Sequence, residues 1–86
     1  MKQPFYYAIL LYFTEHADGD AKEVMEALKS EYGNYRNFKK PAVIEAMMTA
    51  KENGILEESR VELDDDELRV WYKISEDGAV LIKKYL

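Results

Sequence analysis

The residues best suited to act on a ligand form a short run, Tyr35-Arg36-Asn37-Phe38-Lys39-Lys40, with three cations and no carboxylate. Clustered cations neutralise phosphate, and Tyr35 and Asn37 add a hydroxyl and an amide that can donate to phosphate or sugar oxygens. Phe38 offers a ring for stacking. Pro41 follows at once and suits the start of a helix, so backbone N–H groups and the helix dipole would add to the same anion preference. The chain carries a formal charge of −5 and the run carries +3, which leaves −8 for all the rest. Phosphate would be welcomed at this segment and repelled elsewhere. The plainer alternative is a solvated loop with Phe38 tucked into the core.

Other chemistries lack their residues. His16 is the only histidine and ends an apolar helix, with no second histidine to share a metal and no neighbouring serine to activate. There is no cysteine, hence no thiol nucleophile, thiolate metal site or disulfide framework. Asp64-Asp65-Asp66-Glu67 lacks the spaced ligands and glycine of a calcium loop, and no glycine-rich phosphate loop, His-Glu-x-x-His or nucleophile elbow occurs. The expectation is a protein that is not an enzyme and needs no cofactor or metal. The 86 residues are expected to make one domain, 1–86, with enough apolar content for a core. The longest apolar run, Phe5 to Phe13, falls short of the roughly 20 residues a membrane helix needs. A cytoplasmic protein without a membrane partner is expected.

The elements that would hold the basic run follow from periodicity and caps. Pro4 suits a first helical position, and Phe5 to His16 is apolar almost all round, which marks either a central helix or a dimer interface. Ala17-Asp18-Gly19 stops it, with Gly19 suited to a left-handed position. Asp20 and Glu23 have the spacing of a capping box, and Ala21, Val24, Leu28 and Tyr32 recur at helical spacing to Gly33. Val43, Met47 and Ala50 make the inward stripe of a third helix that Gly54 ends. Two strands then flank Asp64–Glu67, with Leu63 opposite Leu68, Val61 opposite Val70, Glu62 opposite Arg69, Arg60 opposite Trp71 and Glu58 opposite Lys73. This register turns the leucines and valines toward the helices. Ser75 caps a last helix whose inward side is Val80, Leu81 and Tyr85, and Gly78 in its first turn favours close packing on the ribbon.

Three helices, a two-stranded hairpin and a C-terminal helix give a mostly helical α+β fold. Val43-(x3)-Met47-(x2)-Ala50-(x3)-Gly54-Ile55-Leu56 and Tyr72-Lys73-Ile74-Ser75-Glu76-Asp77-Gly78 are similar to two signatures of the winged helix-turn-helix superfamily, common among bacterial and archaeal transcription regulators. The resemblance covers nearly the whole chain. It implies a third helix in the major groove of double-stranded DNA and a wing beside the backbone or minor groove. The chain departs from the pattern in three places. The segment between helices one and two is too short for a strand, the turn before helix three is long, and the wing tip is acidic where such wings offer cations.

The resulting expectation is a small DNA-binding transcription regulator, a homodimer, with Tyr35, Arg36, Asn37, Lys39 and Lys40 at the DNA. The alternative is a winged-helix module that contacts protein and leaves DNA alone. Ile44 and Met48, outward on helix three, and Trp71, on the outer face of the wing, are its candidate contacts; each has a plainer packing role as the alternative.

Overall fold

The computed structural model describes residues 4–85, with the side chain of Tyr85 left out. Helices α1 (Phe5–Glu15), α2 (Ala21–Tyr32) and α3 (Lys40–Glu52) precede strands β1 (Leu56–Asp64) and β2 (Glu67–Ile74), and α4 (Glu76–Tyr85) closes the order. This is a winged helix, as expected. Helix α1 lies at the centre, with Ile9 and Phe13 fully enclosed and Leu10 and Tyr12 buried beside them. Most of its apolar surface is spent inside the protomer, with Tyr6 exposed and Phe5, Tyr7 and Leu11 half-buried. The core continues through Ala21 and Val24 of α2, Val43, Met47 and Ala50 of α3, and Leu56, Tyr72 and Ile82.

Local chemistry sets the helix boundaries. Asp20 accepts from the Glu23 N–H while the Glu23 carboxylate accepts from the Asp20 N–H, which completes the expected capping box. At the end of α3, Gly54 has φ +78°, and the N–H groups of Gly54 and Ile55 reach back to the carbonyls of Lys51 and Ala50. That is a Schellman closure, which glycine fits without a Cβ penalty. The Ser75 hydroxyl accepts from the Gly78 N–H at 2.8 Å and lies against the Gly54 and Ile55 carbonyls, so the start of α4 is tied to the exit of α3. Gly19 does not take the left-handed role expected of it. It instead exchanges both backbone hydrogen bonds with Tyr72, a bridge of one residue where other winged helices have room for a strand.

The hairpin follows the expected register from Arg60–Trp71 to Leu63–Leu68, adds a pair between Asp64 and Glu67 in place of the expected four-residue loop, and departs from the register toward its base. Ser59 is an extra, unpaired residue, so Lys73 faces Glu57 and Tyr72 faces Glu58. Asp65 and Asp66 both have positive φ, 49° and 66°, and form a two-residue turn that matches strand twist. The expected apolar packing on the helices fails at the tip. Val61, Leu63 and Leu68 are exposed, Leu63 by 73%, because beyond the base it is the opposite face of the ribbon, with Glu67, Arg69 and Trp71, that meets α2 and the start of α3. The base of the leucine-bearing face is covered, and Tyr72 and Leu56 there are buried. On α4 the inward residues are Gly78 and Ile82, whereas Val80 and Leu81 are exposed. The expected third member, Tyr85, has a side chain outside the described residues. Gly78 explains the rotation: a Cβ there would stand 2.8 Å from the carbonyl carbon and 2.9 Å from the Cα of Ile55.

Two stability predictions follow from this packing. Gly78→Ala is expected to cost about 1–3 kcal/mol by overpacking a backbone-to-backbone contact, read as a lowered midpoint in urea. Burial raises the phenol pKa of Tyr12 and Tyr72 above the ordinary 10.0, and the Glu58 carboxylate raises the Lys51 ammonium above 10.5. Folding therefore favours the protonated forms. That stabilisation is complete below the unfolded values and is lost as pH rises through the folded ones. Thermal melts should show stability falling above about pH 10, with the fall reduced in Tyr72→Phe.

Candidate nucleic-acid interface

The loop between α2 and α3 is organised by rings. Phe5 of α1 lies 5.3 Å from Tyr32, 6.3 Å from Tyr35 and 5.8 Å from Phe38, centroid to centroid, and Tyr32 meets Tyr35 edge-on at 4.9 Å. Backbone hydrogen bonds from Tyr35 to Tyr32, Phe38 to Tyr35 and Lys39 to Asn37 fold the loop into successive tight turns. The aromatic residues face the body, and Arg36, Asn37 and Lys39 are left exposed between them. Phe38 is half-buried, so it acts as an anchor and not as a stacking platform. Tyr35 is 41% exposed and meets the rings of Phe5 and Tyr32.

Lys39 is the N-cap of α3 and provides no side-chain cap, and Pro41 in the first turn has no N–H to satisfy. The remaining first-turn N–H groups and the helix dipole face the side on which Lys39 stands. Among the described residues, neither Arg36 nor Lys39 makes an ion pair. Lys40 differs from them. It is half-buried, and its ammonium is paired with Glu67 of the wing tip. That hydrogen bond holds the Glu67 carboxyl below the usual carboxylate range, and Lys22 of α2 adds to the effect. Nothing in the spacing of the chain points to Lys22, because only the folded wing brings Glu67 near the first turn of α2. The run predicted from sequence thus divides. Arg36, Asn37 and Lys39 are open, Tyr35 is partly engaged, and Lys40 is already held by a carboxylate.

The three residues considered as protein contacts also divide. Ile44 and Met48 are exposed by 39% and 50% on the outward side of α3, with Glu45, Thr49 and Glu52. Trp71 is not on an outer face. Only 3% of it is exposed, its indole N–H donates to Glu23 at 2.9 Å, and the guanidinium groups of Arg60 and Arg69 cover its ring at 4.1 and 4.5 Å. Arg69 in turn donates through two nitrogens to the buried Asp20 carboxylate that caps α2. The capping box, the indole and two arginines form one network. Its net effect is to dock β2 on the start of α2. Trp71 is consumed there and offers nothing to a partner.

Among the described residues no cluster of three or more histidine or carboxylate side chains could hold a metal, and no helix is long and apolar enough to cross a membrane. No protein-family model matches the sequence, and no curated protein resembles it significantly. Solved structures do match. PadR of Bacillus subtilis, crystallised in complex with operator DNA, is similar over 93% of this chain with a TM-score of 0.73 and 15% identity. The chain spans 45% of that protein, less than half its length. A PadR-like transcription factor from Bacteroides fragilis matches 93% of the chain and 74% of its own, with a TM-score of 0.76 and 18% identity. ZitR of Lactococcus lactis, a zinc-responsive MarR family member, matches 99% and 52%, with a TM-score of 0.65 and 19% identity. At these identities the likeness is one of fold, shared with transcription regulators.

Removing the centre of the docking network has a predictable cost. Asp20→Ala deletes a helix cap and strands a guanidinium that is 24% exposed, for an expected loss of about 2–4 kcal/mol. Asp20→Asn keeps a capping oxygen and should lose less. Urea melts of the two variants would separate the cap from the ion pair.

Proposed function

We propose that this protein is a small winged-helix DNA-binding transcription regulator, performs no chemistry and works in the cytoplasm. It meets duplex phosphate along the edge formed by Tyr35, Arg36, Asn37, Lys39, Lys40 and the first turn of α3. One observation carries the reading: Arg36 and Lys39 stand exposed and outside any ion pair among the described residues, beside an uncapped helix N-terminus. Such an edge attracts phosphate through charge and through backbone N–H groups together. The likeness to a PadR crystallised with operator DNA supports the same reading.

The outward side of α3 contributes little to base reading, since Ile44, Glu45, Met48 and Glu52 lack the paired donors that distinguish base edges. Affinity is therefore mainly electrostatic, and any sequence preference arises from DNA shape and deformability. A module of this size gains useful affinity by pairing. Since α1 is mostly spent inside the protomer and α4 leaves more apolar surface open, the exposed Val80 and Leu81 of α4 are the apolar surface through which we expect a homodimer to form. A molar-mass determination on wild type and Leu81→Glu checks this.

Wild type should bind a generic 20-base-pair duplex at low ionic strength, with affinity that falls steeply as salt rises. Arg36→Glu combined with Lys39→Glu should weaken binding at least tenfold and reduce the salt slope by roughly two, about 0.9 for each phosphate no longer neutralised. Glu67→Gln should release Lys40 and tighten binding by a few-fold. Fluorescence anisotropy at two salt concentrations provides the readout. Absence of any salt-dependent binding by wild type would refute the proposal.

A further inference from the structure

Toward its tip the wing presents an apolar face that nothing among the described residues covers. Val61 pairs with Val70 and Leu63 with Leu68, so four apolar side chains share one side of the ribbon. Val61, Leu63 and Leu68 are exposed by 49%, 73% and 63%. The same side connects to α3. Glu58 faces Tyr72 and therefore belongs to this side of the ribbon, and it is ion-paired with Lys51. Lys51 follows Met48 by three positions and Ile44 by seven, so all three lie on one stripe of the helix. Ile44 and Met48 are exposed and line a shallow groove of about 530 Å³ together with Glu45 and Glu52. Apolar side chains of α3 and of the wing thus flank a common ion pair.

The charge around this surface has one sign. On this side stand Glu58 and the turn residues Asp65 and Asp66 of the wing, with Glu45 and Glu52 on α3, while Glu57, Glu62, Asp64 and Glu67 belong to the other side of the ribbon. The cation between helix and wing, Lys51, is already neutralised by Glu58. Apolar anchors inside an acidic surround select their occupant by complementarity. Duplex DNA and anionic lipid are repelled. A second copy in face-to-face contact would oppose two acidic turns, Asp64-Asp65-Asp66, at close range, and such charges on a projecting hairpin discourage self-association. We infer that the outward side of α3 and the apolar face of the wing form a docking surface for a cationic amphipathic helix of another protein, with Leu, Ile or Phe on one side and Lys or Arg beside it. Helix-in-groove recognition uses this combination of apolar anchors at helical spacing and flanking charge. The surface is separate from the edge at Arg36 and Lys39, so its test does not depend on DNA.

The probe is a fluorescein-labelled 16-residue helical model peptide of Leu and Lys, with Leu at i, i+4, i+7 and i+11. The comparison peptide has the same Leu positions with Glu for every Lys. Anisotropy titrations without DNA should show saturable binding of the Lys peptide, at least tenfold weaker for the Glu peptide and weakened by salt. Leu63→Ser with Leu68→Ser, both too exposed to threaten folding, should reduce affinity for the Lys peptide at least tenfold with the melting temperature unchanged. Met48→Ser should reduce it severalfold. Equal binding of the two peptides, or undiminished binding by the Leu63/Leu68 variant, overturns the inference. Concentration-dependent self-association abolished in the Leu63/Leu68 variant would assign the surface to a second copy and overturn it as well. Loss of duplex binding in that variant, with Arg36 and Lys39 intact, would assign it to DNA with the same consequence.

Discussion

A buried carboxylate joins the two halves of this fold. Asp20 caps α2 and at the same time accepts two hydrogen bonds from Arg69 of β2. With its side chain only 5% exposed, leaving it unpaired would be costly, so the hairpin cannot move away from α2 without exposing or orphaning a charge. Trp71 extends the joint by donating to Glu23, the other half of the capping box. The one-residue bridge between Gly19 and Tyr72 adds two backbone hydrogen bonds just beyond. Helix start, strand and indole therefore stand or fall together. The wing is held at its base, and its direction is fixed relative to α2 and α3.

That fixed direction decides where charge is available. The wing tip reaches Lys40 at the start of α3, and the base reaches Lys51 near its end. Both pairs are exposed and individually worth little to stability. Their consequence for recognition is larger, because they remove the two lysines of α3 that border the wing from the pool of free cations. What stays open lies upstream, on a loop whose rings are pinned by Phe5 and whose cations point outward. The acidic wing and the basic loop thus present opposite charge on separate parts of the surface.

Much of the architecture was legible in the chain. The Asp20–Glu23 box, the Gly54 closure, the Ser75 cap and the inward stripe Val43, Met47 and Ala50 each follow from contacts a few residues apart, and such local rules need no knowledge of the whole. The register near the hairpin tip was legible for the same reason, since opposite charges and matched apolar pairs admit only one alignment. The Ser59 bulge was not, because an extra residue leaves no mark in an alternating pattern that resumes beyond it. Of the candidate DNA-contacting residues, types and spacing identified the run, while the division into free Arg36 and Lys39 and engaged Lys40 depends on Glu67, 27 positions away.

By itself, then, the sequence determined the order of elements, their caps and the location of the basic run. It could not say which apolar surface would be covered. Alternation marks two faces of a ribbon but not which of them the helices meet near the tip, so Leu63 and Leu68 read as core and stand in solvent. Helical spacing marks two stripes on α4, and only the backbone contact between Gly78 and Ile55 chooses Ile82 over Val80 and Leu81. Trp71 reads as an outward residue until Asp20 and Glu23 are seen beside it. These outcomes rest on contacts between residues far apart in the chain, which only tertiary packing creates.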